Sequence, residues 1–351
     1  MPHPLSRRGL LAAGGALGAG ALLSACGSTG TTRTTGAKAP DASSAAPGTA
    51  NGPWSYTDDR GTKVTARTTP RRIVAFTGTA AALVDLGLQD RIVGVFGETI
   101  RQDGSPSAQA GDLDVRKVTV LGNVWGEFGI EKYAALNPEL LVTHTYDAKA
   151  PGLWYVPDES RDRILKLAPA VAVDVGHASL PVPIQRYADL ARSLGADLTA
   201  KRVTDARTRF EQAAETVRRA AKASGGLKVM ACSGSADILY VSKPASAADL
   251  RYFTELGVRF VVPEKTDGGD YYESLSWENA GKYHADLLLL DSRSTSLQPG
   301  DLASKPAWND LPAVRAGQIA GWDAVPRFSW AGSAPLLENL AKALSGARRL
   351  G

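Results

Sequence analysis

Two cysteines, two methionines and four histidines are all that 351 residues supply of sulfur and imidazole, and the shortage excludes several classes of protein. Two thiols cannot build a disulfide framework or a four-thiolate zinc site. His3, His144, His177 and His284 are scattered without close ligand spacing, so no directly bound zinc or manganese is expected. Long apolar runs are also missing, apart from one near the start, which rules out a polytopic membrane protein. An excess of one charge sign is lacking too: 40 Lys and Arg face 36 Asp and Glu, a formal +4 spread too evenly for a nucleic-acid binder. Catalytic signatures are absent. Cys232-Ser233-Gly234-Ser235-Ala236 does not match Gly-x-Ser-x-Gly, and neither a Walker loop nor Gly-x-Gly-x-x-Gly occurs. No enzyme is called for.

What is present begins with an address. Gly9 to Cys26 runs 18 residues without a charge behind Arg7-Arg8, and its five glycines suit a secretory signal better than a permanent span. Ser6-Arg7-Arg8 resembles the twin-arginine export signal. Leu23-Ser24-Ala25-Cys26 resembles a bacterial lipobox, which implies cleavage after residue 25 and diacylglycerol on Cys26. The 326 residues that remain of 351 would carry about +2, since Arg7 and Arg8 depart with the signal. Residues 27–53 contain no Val, Ile, Leu, Met, Phe, Trp or Tyr, so they cannot offset chain entropy by burial and are expected to form a tether.

From Trp54 onward, short apolar runs alternate with helical stripes, the pattern of an α/β fold with mainly parallel sheets. Strands are expected at Arg72–Phe76, Ile92–Val95, Leu140–Thr143, Ala170–Val173, Lys228–Cys232, Phe260–Val262, Leu287–Leu290 and Gln318–Ala320, with a helix at Ala80–Leu86. Residues 183–223 carry helical spacing only: Ile184, Tyr187, Leu190, Ala191 and Leu194, then Val203, Ala206, Phe210, Ala213, Val217 and Ala220. Length predicts about two domains, here an N-terminal lobe over 54–182 and a C-terminal lobe over 198–351, joined by a helix within 183–197.

The lobes echo one another. Glu131 precedes Glu139 by eight residues and a Leu-Leu-Val-Thr strand follows; Glu278 precedes Asp286 by eight and a Leu-Leu-Leu-Leu strand follows. Each Glu belongs to the first turn of a short helix. Aromatics and arginines gather on loops beyond strands, among them Trp125, Tyr146, Trp154, Tyr155, Tyr271 and Tyr272, with Arg293, Arg327 and Trp330 later. Ligands of α/β sheets sit outside strand ends in pockets rich in aromatics, so a cleft is expected there. Cys232, ending an apolar run, is expected to be a small buried hydrophobe, and His144 a surface or hydrogen-bonded residue.

These features in order resemble the substrate-binding proteins of ABC importers for ferric siderophores and cobalamin. Pro70-Arg71-Arg72-Ile73-Val74-Ala75 leads to Ala82-Leu83-Val84-Asp85-Leu86-Gly87 and to Arg91-Ile92-Val93-Gly94-Val95, while Gly129 to Leu141 is similar to that family's Leu-Glu … Ala-Leu-x-Pro-Asp-Leu signature and Ser276-Trp277-Glu278 to its second-lobe counterpart. The resemblance spans about Trp54 to Ala347. It implies two Rossmann-like lobes, a rigid backbone helix from Pro183 to Leu194, and ligand held between the lobes. It implies that Glu131 and Glu278 dock on arginines of a permease dimer served by its ATPase. It also implies ligand contacts at Trp125, Tyr146, Tyr271, Tyr272 and the Arg327–Trp330 region, with Trp154, Tyr155 and Arg293 as further candidates.

The expected protein is therefore an exported, lipid-anchored monomer on the outer face of the cytoplasmic membrane, binding a ferric siderophore, with a hydroxamate favoured. The siderophore supplies iron's ligands, so no cofactor, catalytic residue or protein metal site is expected. Cobalamin or haem is the alternative ligand, with His144 or Tyr146 as the axial candidate for haem. An enzyme or sensor on the same scaffold is the alternative class.

Overall fold

The computed structural model describes residues 52–147, 152–267, 269–293 and 295–351. The expected signal, Cys26 and nearly all of the tether lie outside them. Strands β1 (Trp54–Thr57) and β2 (Lys63–Ala66) form an antiparallel hairpin. The first lobe then alternates strand and helix: β3 (Ile73–Phe76), α1 (Thr77–Asp85), β4 (Ile92–Phe96), β5 (Thr119–Val120), α2 (Ile130–Ala135), β6 (Leu140–Thr145), α3 (Arg161–Leu167) and β7 (Ala170–Asp174). Its sheet has the order β5-β4-β3-β6-β7 and every pairing is parallel. Central strands β3 and β6 are buried at every position, as a parallel sheet covered on both faces requires.

The chain then crosses through two helices. Helix α4 (Pro181–Ser193) starts two residues earlier than its apolar spacing suggests, with proline at the first position, where a missing N–H costs nothing. It packs on α1, β1 and β7. The 23-residue α5 (Lys201–Ala223) is about 34 Å long at 1.5 Å per residue, and Val203, Phe210, Ala213, Val217 and Ala220 form its buried stripe.

The second lobe contains β8 (Lys228–Gly234), β9 (Ile238–Ser242), α6 (Ala248–Glu255), β10 (Arg259–Phe260), β11 (Tyr272–Ser276), β12 (Leu287–Asp291), three single turns α7 (Pro299–Leu302), α8 (Pro306–Asn309) and α9 (Pro312–Arg315), β13 (Ile319–Trp322) and α10 (Trp330–Gly346). Strands β10 and β12 pair in parallel with β8, and β13 in parallel with β12, but β9 runs antiparallel to both β8 and β11. The second sheet is thus mixed. The strand expected at Phe260–Val262 lies at Arg259–Phe260, and Val262 is 61 % exposed; Pro263, which has no N–H to donate, follows it. Helix α10 packs along α5, and both bury small side chains, Ala213, Ala214 and Ala220 on α5 and Ala334 and Ala341 on α10. Cys232 is fully buried, and burial pushes its thiol up to about 12.

The eight-residue echo has a structural cause. In the first lobe Glu139 donates its N–H to the Arg72 carbonyl (2.8 Å) while its carboxylate accepts from the N–H of Arg71 (2.5 Å) and Arg72 (3.1 Å). In the second, Asp286 donates to the Lys228 carbonyl (2.8 Å) and its carboxylate accepts from the N–H of Lys228 (2.7 Å). Each acid clips the start of its lobe's central strand, β3 or β8, to the neighbouring one.

Candidate functional site

Strand β6 carries the site. Beyond its end, Thr145 and Tyr146 meet the returning segment 152–159, and Trp125 and Gly126 complete the wall of a cleft of about 490 Å³. The returning segment is pinned to β6: the Trp154 N–H donates to the His144 carbonyl (2.9 Å), and the Thr143 hydroxyl donates to the Trp154 carbonyl (2.9 Å). Gly176 lets the Tyr146 carbonyl pass over the end of β7, since a Cβ there would collide with that oxygen. Gly97, at φ +98°, leaves room for Phe76, whose ring would stand 2.5 Å from a Cβ.

The walls are aromatic. Trp125, 64 % exposed, meets Trp154 and Tyr155 edge-on, with centroids 5.1 and 4.9 Å away. Tyr146 meets Trp154 at 4.5 Å and Tyr271 at 5.7 Å. The Tyr271 hydroxyl also donates to the Tyr146 carbonyl at 3.1 Å, so the second lobe touches a residue of the cleft wall. Tyr155 adopts φ +61°, a left-handed conformation that is costly for a bulky side chain. Its hydroxyl donates to Glu98 (3.3 Å), and burial with that carboxylate beside it pushes the phenol up to about 12.

Among the described residues lining the cleft there is no lysine or arginine, whereas Asp147, Asp158 and Glu159 are present. The nearby cation is Arg293, just past β12, whose positive charge favours the ionised forms of Tyr146 and Tyr155. Its guanidinium is forked onto the buried Asp291 carboxylate at 2.7–3.1 Å, so little of its charge is uncommitted.

Beneath Trp154 lies His144. It is 1 % exposed and stacked at 5.6 Å under the indole, with Phe76, Tyr146 and Phe328 around it at 5.0, 5.3 and 5.9 Å. Neither ring nitrogen has a hydrogen-bond partner, nor does the Trp154 indole N–H. Burial lowers the imidazole to about 3, so it is neutral. His144 is therefore neither a surface nor a hydrogen-bonded residue. Each such unsatisfied buried group costs about 1–3 kcal/mol, and three in one cluster call for a reason.

Of the sequence-derived candidates, the fold brings together Trp125, Tyr146, Trp154, Tyr155 and Tyr271, with Arg293 close by. Three others are placed elsewhere. Tyr272 packs on Tyr240 at the edge of the second sheet (4.9 Å). Trp330 lies at the start of α10 with Arg207 of α5 over its ring (5.6 Å). Arg327 turns inward, its Nη1 3.8 Å from the buried Asp85 carboxylate, which also accepts from the Ser329 hydroxyl. Glu98, beside Tyr155, was missed by the sequence reading. His144, named as an axial candidate for haem, and Phe328, within the Arg327–Trp330 region, lie behind the cleft wall. Glu131 and Glu278 each sit exposed in a first turn, at α2 and at the 3-10 turn Trp277–Lys282, without an ion pair among the described residues.

Residues 73–326 match the family model described as periplasmic binding protein. The chain belongs to that family. No curated protein is significantly similar to this binding protein. Among solved structures it is 50 % identical to DesE, described as a ferric-siderophore receptor protein from Streptomyces coelicolor, with a TM-score of 0.81 over 85 % of this chain and 100 % of that one. SirA of Staphylococcus aureus, complexed with staphyloferrin B, shares the fold at 19 % identity and TM-score 0.59, over 83 % of this chain and 98 % of its own. The petrobactin-binding protein YclQ of Bacillus subtilis does so at 17 % and 0.58, over 84 % and 97 %. These neighbours are solute receptors rather than enzymes. Among the described residues of this binding protein, no helix is long and apolar enough to cross a membrane and no group of His, Cys, Asp and Glu could hold a metal ion.

Proposed function

We propose that this binding protein is an extracytoplasmic, non-enzymatic lipoprotein, exported by its N-terminal signal and anchored through Cys26, that captures a ferric siderophore of the hydroxamate type and delivers it to an ABC permease. The lining of the cleft carries this reading. Aromatic faces suit the apolar ribs of a chelate, and a wall whose described residues include acids but no lysine or arginine suits the uncharged core of a ferric trihydroxamate. A triply anionic ferric tris-catecholate would meet no uncommitted cation among those described residues. The description of the half-identical DesE as a ferric-siderophore receptor supports the substrate class. Exposed, unpaired Glu131 and Glu278, at matching places in the two lobes, support permease docking, where two separated carboxylates give both attraction and register.

The test is a titration of intrinsic tryptophan fluorescence with ferric trihydroxamates, ferric tris-catecholates, haem and cobalamin. Trp125 and Trp154 in the cleft wall make quenching the expected readout. Saturable quenching by the hydroxamates supports the proposal. Quenching by none of the iron chelates overturns it, and stronger binding of catecholate than of hydroxamate overturns the charge argument.

A further inference from the structure

We infer that His144 and Trp154 together form a concealed polar subsite of the cleft, opened when the Trp154 indole rotates off the imidazole, and that it receives a secondary amide of the bound chelate. This rests on the ferric hydroxamate reading and goes beyond it, because His144 lies one layer behind the wall. The observation is the concentration of unmet polar demand. Both imidazole nitrogens and the indole N–H lack partners, although the residues around them are well packed. A neutral imidazole offers one donor and one acceptor, and the indole adds a donor. A secondary amide brings both kinds of group: its carbonyl, with two lone pairs, can accept from the imidazole and indole N–H, or its N–H can donate to the bare imidazole nitrogen. Apolar ligand surface would satisfy none.

Opening needs no backbone movement. The Trp154 main chain is held to His144 and Thr143, while its ring lies at the cleft wall among the rings of Trp125, His144, Tyr146 and Tyr155.

In the test, 15N-labelled protein is titrated with the gallium complex of desferrioxamine B, a diamagnetic trihydroxamate whose spacers contain secondary amides. The His144 ring nitrogens and the Trp154 indole N–H are expected to move to hydrogen-bonded shifts. If the Trp125 indole signal moves while those of His144 and Trp154 stay, the inference is overturned although the chelate binds. If no cleft signal moves, the hydroxamate reading itself fails. In parallel, His144→Phe should weaken the ferric complex of desferrioxamine B about tenfold or more, and weaken ferric tris-acetohydroxamate, which has no spacer amide, by less than about threefold. Its thermal midpoint should not fall. Equal effects on the two ligands, or none, overturn the inference, and the spectra of the unaltered protein decide the matter should the variant not fold.

Discussion

The Tyr271 hydroxyl donates to the Tyr146 carbonyl at 3.1 Å, joining the loop before β11 to the end of β6 across the two sheets. The two rings also meet edge-on at 5.7 Å. Tyr271→Phe keeps the ring and removes the hydrogen bond, worth about 1 kcal/mol. It should weaken ligand binding about fivefold with little change in thermal midpoint, as read by fluorescence titration and melting.

A second junction is sensitive to pH. The Trp322 indole N–H donates to Asp249 at 2.6 Å, and burial raises this carboxyl to about 7; Asp323, also buried, is raised to about 6. A raised folded-state value means that the neutral acid is the stable form. The stability is fully present below the ordinary carboxylate pKa and is lost as pH rises through 6 to 7. The melting temperature should therefore decline from about pH 4 to about pH 7, and Asp249→Asn, which keeps an oxygen for Trp322, should flatten that decline. The Asp249 contribution is at most about 4 kcal/mol. An unchanged slope in the variant would assign the pH dependence to other groups.

Arg327 is predicted to hold the lobes together rather than touch ligand. Removing its buried partner by Asp85→Ala strands the guanidinium and should cost about 3 kcal/mol in urea denaturation, with affinity for the ferric chelate within about twofold of the parent, because Asp85 and Arg327 are not among the residues lining the cleft. A tenfold loss of affinity in a stable variant would return Arg327 to the ligand site.

Reversing both Glu131 and Glu278 to Arg should abolish uptake of the iron chelate by cells while ligand affinity in solution stays within about twofold, since both side chains are exposed and unpaired. Lost affinity would place them in the pocket or the fold.

The central strands were legible because burial on both faces demands unbroken apolar runs, as in Leu140–Thr145 and Leu287–Asp291. Strands β9 and β11 were not. Toward the sheet edge their burial alternates, and Tyr272–Ser276 contributes only Glu273 and Leu275 to the interior. Glu273 looks like a solvent residue in sequence; it is held inside by Lys282 (2.5 Å) and the Tyr283 hydroxyl (2.5 Å). The hairpin β1–β2 alternates in the same way.

By itself the amino-acid sequence determined the alternation of strand and helix, the repetition of one plan in two lobes, and the scarcity of residues that could bind a metal directly. Those properties follow from local spacing and composition, which set what each segment can bury. Which polar and aromatic groups share a cleft was decided only by the tertiary structure. It turned Arg327 inward onto Asp85, moved Tyr272 and Trp330 away from the cleft, and enclosed His144 among Phe76, Trp154 and Phe328 without a hydrogen-bond partner. Side-chain direction and the pairing of distant residues depend on how whole layers pack, and no local pattern encodes them.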